Sequence, residues 1–246
     1  MKLYKLTRQD GTTHNSYMYG IIGKTHEKTV VENPQMCSSD VLHGYENLNL
    51  GLLMNSVHAN IKNPRLFEIE GDAVVSDTFK IGSFKQEVIR ELEVPEWHAN
   101  AEKRRKAQIQ FAILCAESVL GIFEEKYPDD DRPRKAIEAA RAVLNGKISA
   151  DDATYAAYAD AAAYAAYAAD AAATYAAAYA AYAATYAADA AAATRDAAYA
   201  ATYAADAAAA TRDAAYAAQA ANAARSAGIG IDFPALADKA VEIIGG

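Results

Sequence analysis

The first ninety residues alternate apolar and polar positions over short runs, as half-buried strands do. Lys2-Leu3-Tyr4-Lys5-Leu6 alternates and is followed by the turn pair Asp10-Gly11. Tyr17 to Gly23 is a short apolar run ended by glycine, and Thr29-Val30-Val31 reads as a further strand. Ser39-Asp40 reads as the start of a short helix toward Asn47, with Gly51-Leu52-Leu53-Met54 continuing it after a break. The clearest strand is Leu66-Phe67-Glu68-Ile69-Glu70, closed by Gly71-Asp72. Val74-Val75 follows, and Glu87 to Leu92 forms a last strand before Pro95.

Beyond Pro95 the period changes from two to about 3.6. Ile109, Ala112, Ile113, Ala116, Val119 and Leu120 recur at helical steps and mark a buried face. This helix ends near Tyr127-Pro128, because the residue before a proline is pushed out of the helical region. A charged connection to Pro133 leads into a helix from Arg134 to Leu144, closed by Asn145-Gly146. Asp232 and Pro234 suit the start of a last helix, with Leu236, Ala240, Ile243 and Ile244 as its docking positions.

Between these helices, residues 151–227 are mostly alanine, with tyrosine, aspartate, threonine and a few arginines. Alanine is the best helix former because it loses no side-chain entropy. One straight helix of that length would span about 115 Å at about 1.5 Å per residue, so several packed helices are expected. Tyr175, Tyr179, Tyr182 and Tyr186 share one helix face, as do Tyr199 and Tyr203. A segment from Thr185 to Tyr199 recurs from Thr202 to Tyr216, with Asp189 and Asp206 at equivalent places. The tyrosines suit an inter-helix core, where alanine supplies little area, or a recognition surface. Tyr175, Tyr179, Tyr182, Tyr186, Tyr199, Tyr203, Asp189 and Asp206 are therefore the candidate partner-binding residues. The expected fold class is α+β: a small antiparallel-sheet domain at 1–94, then an all-α, Ala/Tyr-rich bundle or array at 95–246.

Charge narrows the function. The net charge is −8, and eleven acidic residues face four basic ones from Ile148 onward. Nucleic-acid binding through phosphate contacts is disfavoured. The basic run Lys103-Arg104-Arg105-Lys106 reads as a solvated helix surface. Cys37 and Cys115 lack metal-ligand neighbours and read as reduced thiols of a cytoplasmic protein. Neither a signal peptide nor a transmembrane span is expected. The five histidines are scattered, and Cys37 with His43 is the one thiol–imidazole pair weighed as a nucleophile and base. Phosphate-loop, dinucleotide and HExxH motifs do not occur. No catalytic residue, cofactor or metal is expected.

Two resemblances sharpen this picture. Lys5 to Gly23, Cys37 to Gly44, Arg65 to Gly71 and Lys80 to Leu92 together resemble a domain family of phage and prophage proteins. Phe111 to Glu117, Phe123-Glu124 and Tyr127-Pro128-Asp129-Asp130-Asp131-Arg132-Pro133 through Arg141 resemble the immunity protein family of bacterial polymorphic toxin systems, over roughly residues 95–225. The second resemblance implies a helical, non-enzymatic protein that neutralises a toxin or a bacterial defence protein by binding it. Two rival readings remain: a structural or oligomerising module, and an ADP-ribosyltransferase-like enzyme in the N-terminal domain.

Overall fold

The computed structural model describes residues 1–147 and 231–245, apart from residues 14, 15, 37, 78, 127 and 130. These residues combine antiparallel sheet and helix, an α+β fold. The Ala/Tyr array and its tyrosine faces lie outside the described residues. The chain divides into two compact units. One comprises Met1–Arg104 with Phe233–Asp238, and the other runs from Arg105 to Asp232 and adds Lys239–Gly245.

In the first unit, strands β1 (Lys2–Thr7), β2 (Thr25–Glu27), β4 (Arg65–Gly71) and β7 (Lys85–Leu92) form a four-stranded antiparallel sheet of order β1-β4-β7-β2. A second antiparallel sheet contains β3 (Leu42–Gly44), β5 (Val75–Ser76) and β6 (Ile81–Ser83), in the order β3-β6-β5. Helices α1 (Leu48–Leu53) and α2 (Asn55–His58) lie between β3 and β4 in the chain. Alternation explains the core: Leu3, Phe67, Ile69 and Val88 point inward from the larger sheet, and Leu42, Ile81 and Tyr19 complete the cluster. Gly20 is required beside Phe67, because a Cβ there would sit 2.9 Å from the ring.

A buried amide joins the sheets. Gln86 of β7 is fully buried and donates from Nε2 to the Leu42 carbonyl of β3 (3.0 Å) and to Ser83 Oγ of β6 (3.2 Å). Its Oε1 accepts from the Tyr19 hydroxyl at 2.5 Å. Buried polar groups are stable only when partnered in this way.

Two expected elements of this unit differ. Thr29 to Val31 is not a strand, and the strand lies earlier, at Thr25–Glu27. Its ladder ends where β7 begins, since Glu27 pairs with Lys85, and Val30 is left 74% exposed. The Ser39–Asn47 stretch holds β3 rather than a helix, because Leu42 to Gly44 pair with Ser83 to Ile81. Helix α1 starts only after Asn47, whose side chain caps Leu50 N at 2.8 Å.

After α3 (Glu96–Ala99), the second unit takes in most of α4 (Ala101–Lys126) and all of α5 (Arg132–Leu144). Ile109, Ile113 and Ala116 are buried along α4, as their spacing requires. Two arginine–carboxylate pairs tie α5 to α4. Arg134 donates to both oxygens of Glu124 (2.8 and 2.6 Å), and Arg141 donates through two nitrogens to Glu117 Oε1 (3.0 and 2.5 Å). Ascending α5 by two turns descends α4 by two turns, so the helices are antiparallel. The expected solvated basic run is only half-exposed. Lys103 pairs with Glu96 at 2.7 Å, and Arg104 donates to the His98 carbonyl at 2.5 Å.

The last described helix, α6 (Phe233–Ile243), buries Phe233, Ala237, Ala240 and Val241. Of the expected docking positions only Ala240 is fully buried, and Ile243 is 52% exposed. Phe233 sets the phase by meeting Phe79 edge-on, with centroids 5.1 Å apart. Asp238 accepts from Asn47 and Asn49 at about 3 Å.

Replacing Gln86 by leucine removes the partner of the Tyr19 hydroxyl and a donor to the Leu42 carbonyl. Urea denaturation of the Q86L chain should show a loss of about 1–3 kcal/mol for each buried group left unpaired. In the second unit, E117R should lower stability by about 0.5–1 kcal/mol, and E117R/R141E should recover most of that loss in a double-mutant cycle.

Candidate functional site

The eight partner-binding candidates, Tyr175, Tyr179, Tyr182, Tyr186, Asp189, Tyr199, Tyr203 and Asp206, lie outside the described residues, as does Cys37. Cys37 therefore carries no geometry toward His43. Cys115 is buried, and burial pushes its thiol pKa up, so it is poorly suited to act as a thiolate.

The geometry instead picks out a cavity of about 900 Å³ within the first unit. Strand β1 contributes Lys5. In a strand, residues two apart share a face, so Lys5 lies on the side of Leu3 and Thr7, both fully buried. Its amine donates to the His43 carbonyl at 2.5 Å and stands 4.7 Å from the centre of the Tyr19 ring. Burial, reinforced by the charges of Lys28 and Lys80, lowers the Lys5 pKa to about 7.

Each of the other walls is held by a local device. Lys80 follows a turn in which Asp77 Oδ1 accepts from Phe79 N (2.8 Å) and Lys80 N (2.7 Å). The Lys80 amine stands 3.6 Å from Asp77 Oδ2. Lys28 comes just after β2, with its amine 6.0 Å from the centre of the Tyr17 ring. His43 sits at the middle of β3, and burial with the charges of Lys5 and Lys80 holds its pKa down to about 4. His58 closes α2, stacks on Tyr45 and shares a 2.7 Å hydrogen bond between Nδ1 and the Tyr45 hydroxyl. Its pKa is likewise lowered to about 4, first by burial and then by Lys80.

Tyr17 and Tyr19 come from the loop before β2. Tyr19 is fully buried, its ring stacked on His26 with centroids 4.2 Å apart. The Tyr17 hydroxyl meets His26 Nδ1 at 3.1 Å, yet the Tyr17 side chain stays 42% exposed. Ser38 and Ser39 add hydroxyls to the wall. Among the described residues that line the cavity there is no carboxylate. The arrangement therefore gathers cations and neutral donors. Imidazoles held near pKa 4 are weak proton acceptors at neutral pH.

Sequence reasoning missed Lys5, Lys28, Lys80 and His58 and took up His43 only as a partner for Cys37. A signal was present for Lys5: it is a lysine in phase with Leu3 and Thr7 on one strand face. The other residues converge only through sheet pairing, which no local pattern displays. Among the described residues no His/Cys/Asp/Glu group could hold a metal ion, and no helix is long and apolar enough to cross a membrane.

The depressed pKa values fix how stability depends on pH. His43, His58 and His98 all fall from 6.5 to about 4 on folding, His98 through burial and then Arg104. Between those values the unfolded chain holds more protons, so the contribution present above pH 6.5 is lost as pH falls toward 4. Lys5 acts likewise between 10.5 and about 7. Thermal midpoints of the whole chain should decline from pH 6.5 to 4, with a shallower decline in H98Q. A flat acid limb would show that these histidines charge freely in the fold.

Comparison with known families bears on the second unit and the array. Residues 98–228, more than half of the chain, match the family described as Imm-5 like putative immunity protein. No curated protein and no solved structure matches the chain.

Proposed function

Because the chain belongs to the Imm-5 like immunity protein family, we propose that it acts without catalysis, by binding a protein partner and neutralising it. The family match over residues 98–228 is the observation that carries this reading. The partner is a toxin or a bacterial defence component, and the action is in the bacterial cytoplasm. The resemblance of residues 1–93 to a phage and prophage domain favours a phage-encoded inhibitor.

Within the matched region, the two arginine–glutamate pairs hold α4 and α5 at fixed register. Those four residues fall in the segments that carry the family resemblance, so they support the scaffold rather than the contact surface. The contact surface is assigned to Tyr175, Tyr179, Tyr182, Tyr186, Tyr199 and Tyr203, with Asp189 and Asp206. Tyrosine offers large, rigid contact area at low entropic cost.

Stoichiometry separates neutralisation by binding from neutralisation by chemistry. A partner captured from a bacterial lysate on the tagged full-length chain should be inhibited with an end point at one-to-one on titration. Alanine at Tyr175, Tyr179, Tyr182 and Tyr186 should weaken that inhibition by at least about tenfold, the loss of one or more well-buried anchors. Inhibition completed by trace amounts of the chain would overturn the proposal in favour of an enzyme.

A further inference from the structure

The cavity of the first unit has no role in the immunity reading, and its chemistry is specific. Three lysines, Lys5, Lys28 and Lys80, line one space, and no carboxylate does so among the described residues. Asp77 pairs through Oδ2 with the Lys80 amine at 3.6 Å, and its Oδ1 accepts from two backbone N–H groups of its turn. A chain with a net charge of −8 has here gathered positive charge around a hollow. Like charges held together in a partly dry space repel one another, and an anion placed among them removes that cost.

The neutral groups extend the argument. In the tautomer whose Nδ1 accepts from the Tyr45 hydroxyl, the neutral His58 imidazole carries its proton on Nε2 and is a further donor. Ser39 supplies a hydroxyl, whereas that of Ser38 is held by the Gln35 carbonyl at 2.7 Å. Tyr17 differs from the other tyrosines of the wall. Its hydroxyl is tied to His26, and its ring is braced at a tilt by Tyr19 (6.5 Å) and His26 (5.5 Å), yet 42% of it stays exposed. An aromatic ring that is both fixed and open is a stacking platform, and it suits any base because every base has a π-face. A volume of about 900 Å³ lies near the upper end of small-molecule sites, larger than a bare phosphate needs.

We infer that this cavity binds a nucleotide, with its phosphates among Lys5, Lys28 and Lys80 and its base against Tyr17. The site belongs to the first unit and stands whether or not the second unit neutralises a toxin. It makes the first unit a ligand-responsive module attached to an immunity-type helical region.

Isothermal titration of the full-length chain with ADP, GDP, CDP and UDP, alongside pyrophosphate and adenosine, tests the assignment. At least one nucleoside diphosphate should bind, about tenfold or more tighter than pyrophosphate, with adenosine weaker still. K5M and K80M should each weaken that nucleotide by about tenfold or more. K5M should keep a thermal midpoint no lower than that of the parent chain, since it removes a charge that burial disfavours, and K80M, which gives up the contact with Asp77, is titrated at a temperature where its circular dichroism shows it folded. Y17A should weaken the nucleotide while leaving pyrophosphate unchanged. Y17F, which keeps the ring, should restore nucleotide binding. The inference is overturned if none of the four nucleotides binds, if pyrophosphate binds as tightly as the best of them, or if the lysine variants bind it like the parent.

Discussion

The first unit depends on one buried amide. Gln86 stands at the meeting of two antiparallel sheets that share no regular ladder, and its three hydrogen bonds connect them. An apolar residue of similar size would fill the space but would take a donor from a carbonyl of β3 and the partner from a tyrosine hydroxyl. The Tyr19 bond has a further effect. By holding the hydroxyl, Gln86 fixes the ring whose faces serve His26 and the Lys5 amine. The position of the Lys5 amine in the cavity thus traces back to an uncharged amide on the larger sheet.

The two units are stabilised by different physics. The first has an antiparallel-sheet core of Leu3, Phe67, Ile69 and Val88, and alongside it accepts the cost of burying Lys5 near Lys28 and Lys80. In the second, long helices gain orientation from paired guanidinium and carboxylate groups spaced two turns apart. Such half-exposed pairs add little energy each, but their planar geometry selects one register over its neighbours.

Legibility followed the range of the interactions. Strands β1, β4 and β7 were readable because alternation is local, and each was found within a residue or two of its observed bounds. The long helix before Pro128 and the cap at Asn145 were readable for the same reason. The family relationship of the helical region was visible in the segments around Glu117, Glu124 and Arg134. What failed was decided elsewhere in the chain. Leu42 to Gly44 became a strand through Ser83 to Ile81, and Val30 lost its strand because β7 offered nothing opposite. Ile243 was misplaced because the phase of α6 is set by Phe233 against Phe79. The cavity was the least legible part, since its lysines come from positions 5, 28 and 80 and meet only after two sheets form.

The edges of those sheets carry a consequence for how other proteins can engage the first unit. Strand β1 is the outer member of the larger sheet, but its free side is closed by Tyr45, which exchanges two backbone hydrogen bonds with Tyr4 at 2.7 and 2.9 Å. The remaining outer strands, β2, β3 and β5, are three, three and two residues long. An extended peptide that adds itself to a sheet needs a longer row of unpaired backbone groups than any of them supplies. The first unit is thereby shielded from β-augmentation and from edge-to-edge self-association. Recognition of its surface falls to side chains, where specificity can be changed one residue at a time without altering the sheets beneath.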